Sequence, residues 1–281
     1  MNEGEAELVV AKIAVRLGVG LQVAEVEWAG ARSFGMRLAG LENSQSFSIG
    51  LELLPRRAEA ILVMDGFAGE VIRSMQANLI ANQGLWPDMI VDAEENGVRT
   101  LVSVNGVHVS GGVDDPDTIW HSLDIECSKR VSKFEKAPLD SLVEVGANCL
   151  GLVLAVLEID WADEDVEEGA TEGGVTHVVS TRYERSPINR LRCIQYYGVT
   201  CWVCDSDFGR TYGHLGDGFI EVHHRTPVSQ LGPGYVIDPK RDLVPLCSNC
   251  HSMIHRQNPP FAPDELRAML GLPEKPILSR N

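Results

Sequence analysis

The chain has 281 residues, of which 44% are hydrophobic and 23% charged, with a formal net charge of −16. These proportions belong to a soluble globular protein, and no apolar run reaches the roughly 20 residues that a membrane-spanning helix needs, so no membrane partner is expected. The start, MNEGEAELVV, is acidic and lacks the h-region and cleavage site of a secretory signal, so a cytoplasmic location is expected.

Residues 5–18, EAELVVAKIAVRLG, carry apolar residues at helical spacing and end at Gly18. SFSIGLELL (46–54) alternates as a strand does, and AEAILVMDG (58–66) reads as a strand or buried run. GEVIRSMQANLIAN (69–82) returns to helical spacing. RTLVSVNGVHVS (99–110) suggests a hairpin turning at Asn105-Gly106, because Asn-Gly suits a turn with two positive φ angles. HSLDIECSKRV (121–131) is a further strand, and DSLVEVGANCLGLVLAVLEI (140–159) a long apolar helix. Residues 1–159 therefore read as a mixed α/β domain of no evident family. Trp28, Arg32, Phe34 and Trp86 could line a base pocket, although aromatics in a domain of this size are more often core.

Residues 160–177, DWADEDVEEGATEGGVTH, are acidic and short of large apolar side chains, which reads as a solvated linker over 160–180. The charge divides at that point. Residues 1–180 hold 12 Lys+Arg against 30 Asp+Glu, whereas residues 181–281 hold 12 against 10 and five of the eight histidines. An acidic first part argues against an extensive DNA-facing surface there.

The second part, 181–281, opens with YERSPINRLRCIQYYG (183–198), where Pro187 suits a first helical turn and Gly198 a helix end. Seven cysteines without a signal peptide make a poor disulfide framework. Four of them form two CxxC pairs, Cys201/Cys204 and Cys247/Cys250, with 42 residues between. Each pair can curl two thiolates toward one ion, and four thiolates favour a closed, structural Zn²⁺ site. Cys127, Cys149 and Cys193 read as core residues.

Four histidines surround the knuckles: His223, His224, His251 and His255. His223 and His224 follow the alternating FIEV and would point to opposite faces of a strand. His251 and His255 stand four apart, on one face of a helix. Two imidazoles from a helix and one from a strand can hold a divalent ion with open positions, the layout for catalysis; alternatively His251 and His255 complete the zinc shell or cap the helix.

EVHHRTPVSQLGPGYVIDPKRDLVPLCSNCHSMIH (221–255) resembles the HNH nuclease motif, a ββα-metal site, and with its paired knuckles it is most similar to the McrA-like branch of restriction endonucleases. The resemblance covers about residues 181–268. Together with the readings above, it gives an α+β protein in which an acidic linker joins the N-terminal domain to a small zinc-stabilised HNH domain. It also implies hydrolysis of DNA phosphodiester bonds with Mg²⁺ or another divalent ion such as Mn²⁺ or Ni²⁺. On that resemblance His223 and His251 would bind the catalytic metal. His255 would complete its shell or contact the scissile phosphate, and His224 would be the general base. The family usually has Asn nine residues before the helix histidine to orient the base; this chain has Asp242, a carboxylate that can also accept from imidazole. Arg185, Arg190, Arg192, Arg225, Lys240 and Arg241 are the candidates for DNA contacts.

The implied role is restriction, or defence against foreign DNA, modified DNA included. Two readings compete with it: a zinc-stabilised nucleic-acid-binding protein without catalysis, and a nuclease gated by a partner or signal sensed by the first part. Cutting both strands from a single active site would require two copies, which suits a homodimer.

Overall fold

The computed structural model describes residues 1–28, 30–39, 47–66, 68–81, 84–109, 118–132, 137–157, 186–226, 235–257 and 259–275. The acidic segment read as a linker, and Arg185 with it, lie outside the described residues.

Helix α1 (Glu3–Leu17) starts at Asn2, whose side chain accepts from the Glu5 N–H while Glu5 accepts from the Asn2 N–H, a reciprocal capping box. It stops at Gly18, whose φ of 72° favours glycine. Strands β1 (Leu21–Trp28), β2 (Ala31–Leu38), β3 (Phe47–Leu54) and β4 (Arg57–Met64) follow, then helices α2 (Gly69–Ala81) and α3 (Leu85–Glu95). Next come β5 (Val98–Val104), β6 (Val107–Val109), β7 (Leu123–Arg130) and helix α4 (Pro138–Leu154). Among the described residues the strands form one sheet in the order β1-β2-β3-β4-β7-β5-β6, and every neighbouring pair is antiparallel. The expected hairpin is present: Asn105 and Gly106 have φ of 52° and 75°, the signs a two-residue type I′ turn requires. Asn105 also ties this turn to the approach to β7, accepting from the N–H of His121 and Ser122 and donating to the Ile119 carbonyl.

Helix α4 lies against β3, β4 and β7 and against α1. Nearly all of its turns are buried, and Phe47, Ile49, Leu51, Leu123, Ile125, Ile13 and Leu142 meet in the core between helices and sheet. Its helix ends at Leu154 rather than running to 159. Two features went unread in the sequence. The β1–β2 hairpin starts with a strand whose burial hardly alternates, as expected of a sheet edge. Helix α3 carries Pro87 in its first turn, where proline is tolerated but reads as a break. Trp86 is wholly buried, with its indole N–H on the Leu152 carbonyl, so it is a core residue and lines no base pocket.

The second part begins with helix α5 (Pro187–Tyr197), which has Pro187 in its first turn and Gly198 as its C-cap. It belongs to two cores at once. Ile188 and Leu191 are buried with the sheet and α4, whereas Cys193 and Ile194 are buried with the knuckle residues. Leu191 sits over Gly151 of α4 so closely that a Cβ there would lie 2.7 Å from its Cδ2. Arg190 donates to the Val15 and Arg16 carbonyls at the end of α1, at 3.0 and 3.1 Å, where a helix has carbonyls without intrahelical partners. Arg192 pairs with Asp92 of α3 at 2.7 Å, and Gln195 donates to Asn148 of α4 at 2.8 Å.

Replacing Leu191 by alanine should therefore cost about 2–5 kcal/mol of unfolding free energy, read by urea denaturation of the full chain. A variant as stable as the parent would show that α5 does not carry the packing described.

Candidate metal centre and active site

After α5 the chain turns through the first knuckle into the short helix α6 (Phe208–Tyr212) and a 3-10 turn (Gly213–Gly216). Strand β8 (Glu221–His224), helix α7 (Pro239–Asp242), strand β9 (Leu243–Leu246), helix α8 (Ser248–Ile254) and helix α9 (Pro263–Met269) follow. β8 and β9 pair antiparallel, with Glu221 opposite Leu246 and His224 opposite Leu243.

This pairing brings the two CxxC segments together. The Sγ atoms of Cys201, Cys204, Cys247 and Cys250 all lie within 4.8 Å of one another. Cys204 and Cys247 are 3.7 Å apart, the edge of a tetrahedron whose metal–sulfur bonds are about 2.3 Å. The first knuckle is closed by the Asp205 N–H on the Cys201 carbonyl at 3.1 Å, with Asp205 at φ 61°. The second is closed by the Cys250 N–H on Cys247 Sγ at 3.4 Å. Donor set and spacing are compatible with a structural zinc site. Burial pushes the Cys201 thiol up to about 11 and raises Cys250 as well, with the neighbouring Cys201 adding to it. Burial also opposes the Cys204 thiolate, but hydrogen bonds with Ser206, Cys250 and Cys201 outweigh it and bring the thiol down to about 7.

Around the cluster, Trp202 is fixed on all sides. Its indole N–H donates to Asp264 at 2.7 Å, Tyr197 meets it edge-on, and the Arg225 guanidinium lies 4.5 Å from its ring centre. Arg267 of α9, 4% exposed, donates to the Trp202 and Val203 carbonyls and pairs with Asp205. A buried arginine normally demands such complete pairing, and nothing in its sequence neighbourhood announced it.

Three of the four histidines converge. His223 from β8 and His251 and His255 from the end of α8 place ring nitrogens within 4.8 Å of one another, and their rings stand 70°, 74° and 90° apart, edges facing. Small ring rotations would let all three reach one ion at imidazole bond lengths of about 2.0–2.1 Å. His223 is buried, His251 half-buried and His255 exposed, so the group opens to solvent on the His255 side. His224 occupies the opposite face of β8 and is half-buried. One residue of this site is marked by no motif: Glu221, whose carboxylate lies 2.5 Å from His251 Nδ1. The available signal was its place two residues before His223, on the same strand face.

The Asp242 carboxylate accepts from the Asp238 N–H at 2.8 Å, Tyr235 Oη at 3.0 Å and Arg241 Nε at 3.1 Å. Burial works against its charge, but these donors outweigh it and keep the carboxyl below its ordinary range. Its own carbonyl accepts from the Arg225 N–H, extending the β8–β9 pairing past His224.

The basic residues expected at DNA are mostly engaged inside the protein. Arg190 and Arg192 lie at the seam with the first part, where Lys240 joins them, 3.1 Å from Asp92. Arg225 pairs with Asp264 at 3.0 Å beneath Trp202. Arg241 is largely exposed, its guanidinium beside Asp242 and Tyr235.

Residues 201–257 match the family model described as HNH endonuclease. The match implies a nuclease-like, metal-dependent DNA-cleaving function for this segment. No curated protein and no solved structure matches the chain.

Since α8 and the β8–β9 pair hang from the four-cysteine cluster, a chelator that removes a zinc ion held there should release Trp202 from its packed site and shift its fluorescence, while the helical signal of α1–α4 persists. Unchanged fluorescence after complete zinc loss would contradict this dependence.

Proposed function

We propose that the C-terminal part is a divalent-metal-dependent DNA endonuclease. His223, His251 and His255 hold a Mg²⁺, Mn²⁺ or Ni²⁺ ion, and His224 is the general base. The observation that carries this reading is the convergence of three imidazoles from two elements, with a fourth imidazole on the adjoining strand position but on the other face. The ion, when bound, supplies positive charge against the charge that develops on the phosphate. A neutral imidazole is a competent base near pH 7, and His224 takes the proton of the attacking water. Asp242 contributes through the main chain: its carboxylate, occupied by three donors, fixes the turn that sets Leu243 opposite His224. Arg241 remains the described candidate for phosphate contact by virtue of its exposure.

The paired knuckles fit a McrA-like restriction enzyme, active in the cytoplasm against foreign DNA, modified DNA included, and a homodimer would supply two active sites for the two strands. The α+β first part, 1–159, then serves targeting or regulation. The seam favours a second component of this reading. Asp92, side chain 9% exposed, neutralises both Arg192 and Lys240, so the first part withholds two cations from DNA and holds the nuclease in check.

Plasmid cleavage with Mg²⁺, Mn²⁺ or Ni²⁺ tests the catalytic claim. His224→Ala should lower the rate by about 10²–10⁴-fold; equal rates for parent and variant on unmodified and modified DNA would remove it. For the gating claim, Asp92→Asn should strengthen DNA binding severalfold and steepen its salt dependence. Binding with an unchanged salt slope would end that reading.

A further inference from the structure

The contact between Glu221 and His251 has no place in the steps above, and resting on the metal-centre reading we propose that Glu221 is the positioning residue that orients His251 as a ligand. The carboxylate accepts from Nδ1 of His251 at 2.5 Å. With Nδ1 engaged, the nitrogen left to face a cation is Nε2, and the tautomer with its proton on Nδ1 is the one that the carboxylate selects. A ligating imidazole whose second nitrogen donates to a carboxylate is fixed in ring orientation and made a better electron donor.

Three features fit this role better than that of a fourth ligand. First, the metal-ligand grouping found among the described residues contains His223, His251 and His255 and leaves Glu221 out. Glu221 reaches the group through a ring rather than beside it. Second, its backbone is held where the position matters. Glu221 pairs with Leu246, the residue before Cys247, and the Cys247 carbonyl accepts from the His251 N–H at 2.9 Å. The zinc knuckle therefore sets both ends of the Glu221–His251 bond. Third, Glu221 and His223 lie on one face of β8 two residues apart. One short strand thus supplies a direct partner for the cation and the partner of another ligand, and relates a strand ligand to a helix ligand without using a flexible loop.

The test uses the full chain with its zinc retained. Mn²⁺ affinity is measured by calorimetry for the parent, Glu221→Ala and Glu221→Gln. The tautomer of His251 is read without catalytic metal from ¹⁵N imidazole resonances at pH above 8. Glu221→Ala should weaken Mn²⁺ binding about 10–100-fold and convert the single Nδ1–H form of His251 into a mixture. Glu221→Gln, whose amide oxygen can still accept from Nδ1, should recover part of both. Parental Mn²⁺ affinity in Glu221→Ala would overturn the proposal, as would a His251 spectrum that does not respond to either substitution. Should Glu221→Ala fail to fold, Glu221→Gln carries the same readouts, and an unaltered spectrum with a metal affinity as poor as that of a His251→Ala control would equally overturn it. Failure of the nuclease reading looks different: the parent binds Mn²⁺ and shows the ordered His251 tautomer, yet cuts no DNA.

Discussion

The whole second part rests on one closure. Two CxxC segments 42 residues apart must bring their sulfurs to within 4.8 Å of one another. Closing a flexible loop of that length has an entropic cost that rises only slowly with length, so the stretch between the knuckles can be long if its ends are fastened well. Everything else follows from the fastening. β8 leaves the first knuckle region and β9 returns to the second, so the two pair; α8 then starts at Cys247, and its first turns lie beside β8. The clustered imidazoles sit on β8 and α8, the elements that the sulfurs gather together.

A second constraint operates at α5. Most helices bury one stripe against one neighbour, but α5 gives Ile188 and Leu191 to the sheet domain and Cys193 and Ile194 to the knuckles. Around this shared wall the charges are arranged as a latch. Asp92 takes Arg192 on one oxygen and Lys240 on the other, and Lys240 in turn lies 5.1 Å from the Tyr196 ring. A basic residue on a helix looks alike in sequence whether its partner is phosphate or an aspartate 100 positions away, so these pairings were not legible there.

What the sequence disclosed tracks how local the signal is. The Asn105-Gly106 turn, the Gly18 and Gly198 helix ends and Pro187 each depend on one residue's backbone preference, and each is where expected. CxxC and the histidine pairs are short-range patterns whose chemistry can be read directly, so the metal groupings were legible before any contact was known. Helix α3 was hidden by a proline that its first turn tolerates, and β1 by an edge position that blurs alternation. Trp86 is core, the commoner fate of an aromatic in such a domain, but its partner, the Leu152 carbonyl, is set by tertiary geometry, as are the Tyr235 and Asp238 donors to Asp242. Glu221 lay in plain view beside His223, but its bond crosses to another element.

The span of the seam bonds bears on the order in which the molecule assembles. Arg190 reaches carbonyls 174 and 175 residues earlier in the chain, and Arg192 reaches back 100 residues to Asp92. The knuckle region is built from nearer neighbours, and the first part joins residues as distant as Lys12 and Asp140, 128 apart, so each can form before the Arg190 bonds do. Docking along α5 is then the closing event of folding, and in the finished protein the seam is the natural line along which the two parts would separate first under stress.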